Sequence, residues 1–191
     1  KNNIGAFYQP IKVLIDFDTL STLPRRHYVN GLVEALKAGL IYDPQLFALF
    51  ENGNIDDDLE KIIYRSLCMK KDVVEKDERE SGLRKILNFG HTIGHAIEGY
   101  YHMEEYLHGE CVAMGMLYFI EDDELRERTI RVLKQLNVPI DAPYDKEDVY
   151  QRLLADKKAG HNGITVVKVK TLGAAELETI SYEEIKEMLK G

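Results

Sequence analysis

The chain has 191 residues, 45% hydrophobic and 30% charged, with 33 acidic against 25 basic side chains and a net charge of -8. That length suits one ordinary domain with a sizeable core of its own, and the composition excludes a disordered or fibrous chain. The acidic balance weighs against a nucleic-acid partner, and no apolar run approaches the ~20 residues of a membrane span, so neither nucleic acid nor membrane is expected.

The start, Lys1-Asn2-Asn3-Ile4, has no initiator Met and is not a signal peptide, which points to a piece excised from a longer, cytoplasmic protein. Lys12-Val13-Leu14-Ile15-Asp16 reads as a short strand, expected to join the sheet of a neighbouring domain. The segment from Thr19 to Pro24 reads as a turn into a helix, with Pro24 its first residue and Tyr28, Leu32, Val33, Leu36 and Leu40 at helical spacing. Asp43-Pro44 is an N-cap and first-position pair, and Asn52-Gly53-Asn54 ends that helix. Asp56 to Asp58 place acids before a long helix carrying Leu59, Ile62, Ile63, Leu67, Val73 and Val74. After the break at Glu80-Ser81-Gly82, helices are predicted over 83–100, 109–121, 124–136 and 145–156. Residues 164–169 form the other convincing strand, and Ser181-Tyr182-Glu183-Glu184 is a capping box opening a last helix. The fold class is therefore mainly α, a multi-helix domain with a short N-terminal strand and a small strand pairing near the C-terminus. Cys68 and Cys111 have no metal or disulfide spacing, and both are expected as reduced, buried thiols.

The strongest chemical signal is Asn88-Phe89-Gly90-His91-Thr92-Ile93-Gly94-His95-Ala96-Ile97-Glu98. His91 and His95 share a helix face, a spacing that lets two imidazoles converge on a metal. Gly90 and Gly94 beside them point to something approaching the backbone closely. For an H-x-x-x-H alone, two partly exposed histidines on a glycine-weakened helix are the commoner outcome. His108, in Leu107-His108-Gly109-Glu110, sits at a turn before a helix, where a surface or capping role is the ordinary one. Glu34 and Lys37 stand one helical turn apart; such pairs are usually solvated, but these lie in an apolar stretch. Lys70, Arg84 and the pair Lys157-Lys158 read either as solvated charge or as an anion clamp.

In this order the phrases Lys1 to Pro10, Asp18 to Pro24, Gly31-Leu32-Val33-Glu34-Ala35-Leu36-Lys37, Asp77 to Arg84 into Leu87 to His95, Leu107 to Glu110, and Asp156-Lys157-Lys158 run over most of the chain. Together they resemble the C-terminal domain of the 3-dehydroquinate synthase family, the sugar phosphate cyclases of the shikimate pathway. The resemblance implies a carbon-oxygen lyase of aromatic amino-acid (chorismate) biosynthesis that uses NAD+ and one divalent metal, zinc first and cobalt next. By position it implies Glu34, His91 and His108 as metal ligands. His95, Lys37, Arg84, Asn88 and Lys70 become catalytic residues. Asn2 and one of Lys157 or Lys158 would touch the sugar phosphate substrate, and Lys1 with Thr19, Leu20, Ser21 and Thr22 would touch NAD+. Residues 1–24 become the hinge to an N-terminal NAD-binding domain, 25–191 the metal- and substrate-binding domain, and the whole enzyme a homodimer.

Two departures stand out. After Ile120 the acids Glu121 to Glu124 follow at once, where the family continues through a longer helix. No G-x-G-x-x-G loop is present, so the chain alone is expected to lack most of the NAD+ site and to be inactive. The competing readings are a 2-deoxy-scyllo-inosose or valiolone synthase, a metal-dependent polyol dehydrogenase, and a non-catalytic helical module that keeps the motifs.

Overall fold

In the computed structural model, which describes residues 8, 10–156 and 163–190, the chain is built around helix α1 (Arg25–Ile41). Its residues from Ala35 to Ile41 are all buried, so it is apolar around most of its circumference, as a helix enclosed by others must be. Helices α2 (Pro44–Asn52), α3 (Leu59–Lys76) and α5 (His108–Leu117) pack against it. Asp43 caps α2 by accepting from the Gln45 and Leu46 amides, and Pro44 needs no such partner, so this helix starts where the sequence places it. α4 (His91–Tyr100) lies against α5 and α7 (Lys146–Asp156), while α6 (Asp123–Gln135) packs on α2 and α5.

The strands β1 (Ile164–Thr171) and β2 (Ala174–Ile180) form an antiparallel pair, in register from Ile164 opposite Ile180 to Thr171 opposite Ala174, and α8 (Tyr182–Lys190) follows. Ser181 caps α8, its hydroxyl accepting from the Glu184 amide at 3.0 Å. The hairpin turn is anchored to the core where the Gly173 amide donates to Leu40 O at 2.9 Å. On its other edge β1 takes the segment after α5: the Val169 amide donates to Phe119 O at 2.9 Å and the Glu121 amide to Val169 O at 3.0 Å. The abrupt acids after Ile120 are thus absorbed by ending α5 at Leu117, short of the predicted 121, and pairing the next residues with β1.

Four further expectations need correction. Residues 12–16 form no strand within this chain, because no described segment offers them backbone partners; Ile11, Val13 and Leu14 stand exposed. Pro24 is the N-cap of α1 and not its first residue. The segment 83–100 is two elements: a 3-10 turn (Leu83–Asn88), then Gly90 at φ 77°, a left-handed conformation that breaks the helix before His91. Cys111 is buried, but Cys68 is exposed on α3, since the buried stripe there is Ile62, Met69 and Val73.

Among the glycines of the described residues, the one with the least room for a Cβ lies where α4 meets α5. A Cβ on Gly115 would lie 2.1 Å from Gly90 O and 2.7 Å from Gly94 N, and one on Gly94 would lie 2.9 Å from Cys111 O. The close approach signalled by the paired glycines is therefore another helix of the same chain. Gly115→Ala should cost about 3 kcal/mol or more, since backbone cannot yield as a side chain can. Gly31→Ala, whose Cβ meets nothing within 4 Å, should instead gain up to about 1 kcal/mol of helix propensity. Urea midpoints of the two variants check this contrast.

Candidate metal centre

Two residues of α1 found the site. The Lys37 ammonium lies 2.6 Å from Glu34 Oε2 and donates to Leu87 O at 2.7 Å. Its side chain is only 6% exposed, and burial pushes its pKa below the ordinary lysine value, an effect Glu34 opposes. Burial also works against ionisation of Glu34, but Lys37, followed by His91 and His108, outweighs it and holds the carboxyl below its usual range. The other oxygen, Glu34 Oε1, is buried with no hydrogen-bond partner. It stands 3.7 Å from His91 Nε2 and 3.7 Å from His108 Nε2.

His91 opens α4, its Nδ1 placed 3.0 Å from Phe89 O. Burial first, and then the Lys37 charge, lowers its pKa to about 4, so the ring is neutral near pH 7 and one nitrogen keeps a lone pair. His108 opens α5, with Nδ1 3.3 Å from Glu98 Oε2. Two contacts seat that helix start. The Gly109 amide donates to Asn30 Oδ1 at 2.6 Å. Glu110 accepts from the Leu107 amide at 2.8 Å and takes two hydrogen bonds from the Arg26 guanidinium, at 2.8 and 2.7 Å. His95, one turn beyond His91, joins the group: His91, His95 and His108 each offer a ring nitrogen within 4.8 Å of the others.

Two of these imidazoles with a carboxylate oxygen already make a donor set for a zinc-like ion, with the third ring beside it. A buried acceptor left without any donor is costly, and a cation between it and the imidazole nitrogens would satisfy it. The residues therefore fit a divalent metal.

A cavity of about 630 Å³ opens beside Glu34 and His91 and brings in Lys37, Lys70, Arg84 and Asn88. Leu20 lines its far end, whereas Thr19, Ser21 and Thr22 lie on the exposed 3-10 turn Phe17–Thr22 and are not part of that lining. A second cavity of about 370 Å³ shares Asn88 and His91 and adds His95, Lys85 and Thr165. Lys1, Asn2, Lys157 and Lys158 lie outside the described residues. The sequence reading passed over Glu98, Glu110 and Asp77. Glu98 could have been noticed as the carboxylate two turns after His91 on the same helix face. Asp77 organises the loop that carries Arg84: its carboxylate accepts from the amides of Ser81 (2.9 Å), Gly82 (2.7 Å) and Arg84 (3.0 Å).

By fold the chain is a sugar phosphate cyclase C-terminal domain. It superposes with a TM-score of 0.84, at 25% identity, on ValA, the 2-epi-5-epi-valiolone synthase of Streptomyces hygroscopicus subsp. jinggangensis with NAD+ and Zn2+ bound, covering 100% of this chain and 57% of that one. It is similar at a TM-score of 0.80 and 25% identity to a 2-deoxy-scyllo-inosose synthase complexed with carbaglucose-6-phosphate, NAD+ and Co2+, covering 99% of this chain and 59% of that one. Residues 31–159 match the family described as 3-dehydroquinate synthase C-terminal, and the chain belongs to that family. It is 41% identical over its whole length to the 3-dehydroquinate synthase of Thermoanaerobacter pseudethanolicus and spans 58% of that protein. It is 44% identical over 87% of its length to that of Geobacter metallireducens, spanning 51% of that protein. The expected family and the mainly helical class are both borne out.

The three amides around Asp77 hold its carboxyl far below the usual range. A carboxyl with a depressed folded pKa stabilises above its unfolded pKa of about 4, and that contribution is lost as pH falls toward the folded value. Asp77→Ala should therefore speed hydrogen exchange at the Ser81, Gly82 and Arg84 amides at neutral pH. In the parent protein the same amides should lose protection only at pH well below about 4.

Proposed function

We propose that this chain is the metal- and substrate-binding part of a 3-dehydroquinate synthase, converting 3-deoxy-D-arabino-heptulosonate 7-phosphate to 3-dehydroquinate and phosphate. The observation that carries it is the buried, partnerless Glu34 Oε1 facing His91 and His108 at the end of a cleft that holds Lys37, Lys70, Arg84 and Asn88. Glu34, His91 and His108 would hold one divalent metal, zinc or cobalt. When bound, the metal would supply Lewis acidity at a substrate alcohol, and NAD+ would supply a reversible hydride acceptor.

The chain's own residues supply binding and proton handling. The Lys37 ammonium has three donors; two are spent on Glu34 and Leu87 O, which leaves one for a substrate oxygen held close to the metal. Arg84 spends one guanidinium nitrogen on Glu78 O at 2.7 Å, leaving its others for the substrate carboxylate. Asn88 stands between the two cavities with its amide nitrogen on Glu80 Oε1 at 2.7 Å. His95, which lines the second cavity, would meet the phosphate and return a proton to it as it leaves. Lys70, Asn2 and one of Lys157 or Lys158 complete the cationic wall. Lys1 and residues 19–22 would meet NAD+, with residues 1–24 as a hinge to an NAD-binding domain and 25–191 as the present domain. A cytoplasmic homodimer is the form proposed for the whole enzyme. The higher identity to dehydroquinate synthases (41–44%) than to the two cyclase structures (25%) favours this substrate over those of the sister enzymes.

In the full-length protein, phosphate release from the heptulosonate phosphate should require catalytic NAD+. His91→Ala should lose bound zinc and slow release by at least about 100-fold. Equal zinc in both proteins would remove the metal assignment, and release from glucose 6-phosphate instead would identify an inosose synthase.

A further inference from the structure

Glu98 is a carboxylate in search of a charge. It stands two turns beyond His91 on α4, with its side chain 13% exposed. A carboxylate this enclosed is held in place only by a cation or by strong donors. Among the described residues no lysine or arginine lies within ion-pair distance of it. Its one such contact among the described residues is His108, Nδ1 to Oε2 at 3.3 Å. The opposite ring nitrogen of His108, Nε2, is the one that faces Glu34 Oε1 at 3.7 Å.

We propose that Glu98 is a positioning residue for the metal centre, fixing the tautomer and ring orientation of His108 so that Nε2 presents its lone pair to a divalent cation. This rests on the metal reading given above. With the proton of His108 on Nδ1 and donated to Glu98, Nε2 is a pure acceptor aimed at the place where Glu34 Oε1 also points. His91 is set by the same device in neutral form, its Nδ1 on the carbonyl of Phe89 at 3.0 Å, so both rings offer Nε2. The difference between the two orienting groups has an electrostatic consequence. Glu34 is already balanced by Lys37 at 2.6 Å. A dication carried by neutral imidazoles would then be left uncompensated on its histidine side, and the negative charge of Glu98 one ring away offsets it. An orienting carboxylate also makes the imidazole a stronger donor to the metal. The competing account is a plain ion pair, with a protonated His108 between Glu34 and Glu98 and no consequence for a metal.

The test uses the full-length protein stripped of metal by chelation, titrated with Zn2+ in competition with a chromophoric chelator, and loaded with Co2+ for its visible spectrum. Glu98→Gln keeps the shape and removes the charge. It should weaken Zn2+ affinity by about 10- to 100-fold and shift the cobalt spectrum, while the melting temperature of the metal-free protein stays unchanged. Glu98→Asp, which keeps the charge on a shorter stem, should retain more affinity than Glu98→Gln. Parent-like zinc affinity and an unaltered cobalt spectrum in Glu98→Gln, with His91→Ala losing zinc, would overturn the role of Glu98 and leave the metal reading standing. An affinity loss that merely follows a lower melting temperature of the metal-free protein, with the cobalt spectrum unaltered, overturns it as well. Equal zinc binding by the parent and His91→Ala would instead remove the metal centre itself.

Discussion

The contact between the backbones of α4 and α5 is the constraint on which the site depends. Gly90, Gly94 and Gly115 allow the two helices to touch without intervening side chains. His91 sits at the start of α4 and His108 at the start of α5. Only when those helices approach to backbone contact do their first-turn side chains come within reach of one ion and of Glu34 on α1. A larger residue at any of the three glycines would widen the gap by the thickness of a side chain, and the imidazoles would no longer converge. The packing of the core and the chemistry of the site are therefore one requirement.

Electrostatics completes what packing begins. Lys37 is buried, so its charge is expensive, and it persists because Glu34 Oε2 and Leu87 O share its hydrogens. That pairing consumes one oxygen of Glu34 and leaves the other without a donor. The Lys37 charge, second to burial, also keeps His91 unprotonated. One lysine thus prepares two donors together, an ionised carboxylate and a neutral imidazole, the forms that metal binding needs.

Much of this was legible in the residues, for reasons that differ from element to element. Asp43-Pro44 and Ser181 specify helix starts through local chemistry that needs no tertiary context. Residues 12–16 carry strand-forming side chains, yet a strand exists only with a partner, and a local pattern cannot supply one. The run 83–100 keeps a helical period through Gly90, and only the positive φ there, at a position where the Met116 side chain and Val112 carbonyl also leave no room for a Cβ, reveals the break. Cys68 looked buried because its neighbours are apolar; it lies about 100° around α3 from Met69, which is the residue that faces the core. The spacing of His91 and His95 raises a metal site only as the less common outcome, and the family resemblance points to His91 with His108 instead. Helical spacing puts Glu98 on the face of His91 but does not encode its contact with His108, nor that of Glu110 with Arg26.

The parts of the site also rest on supports of unequal stiffness, and this bears on how it could work. Glu34, His91 and His108 project from α1, α4 and α5, helices that share the buried core. Arg84 and Asn88 instead ride on a 3-10 turn whose preceding loop is tied by the partly exposed hydrogen bonds around Asp77. Core helices open only with the whole fold, whereas a loop held by exposed hydrogen bonds opens at far smaller cost. The cluster of Glu34 and the histidines is thus rigidly held, beside a cationic wall that yields more easily. The fold places its packing energy behind Glu34, His91 and His108 and leaves Arg84 and Asn88 more to hydrogen bonds.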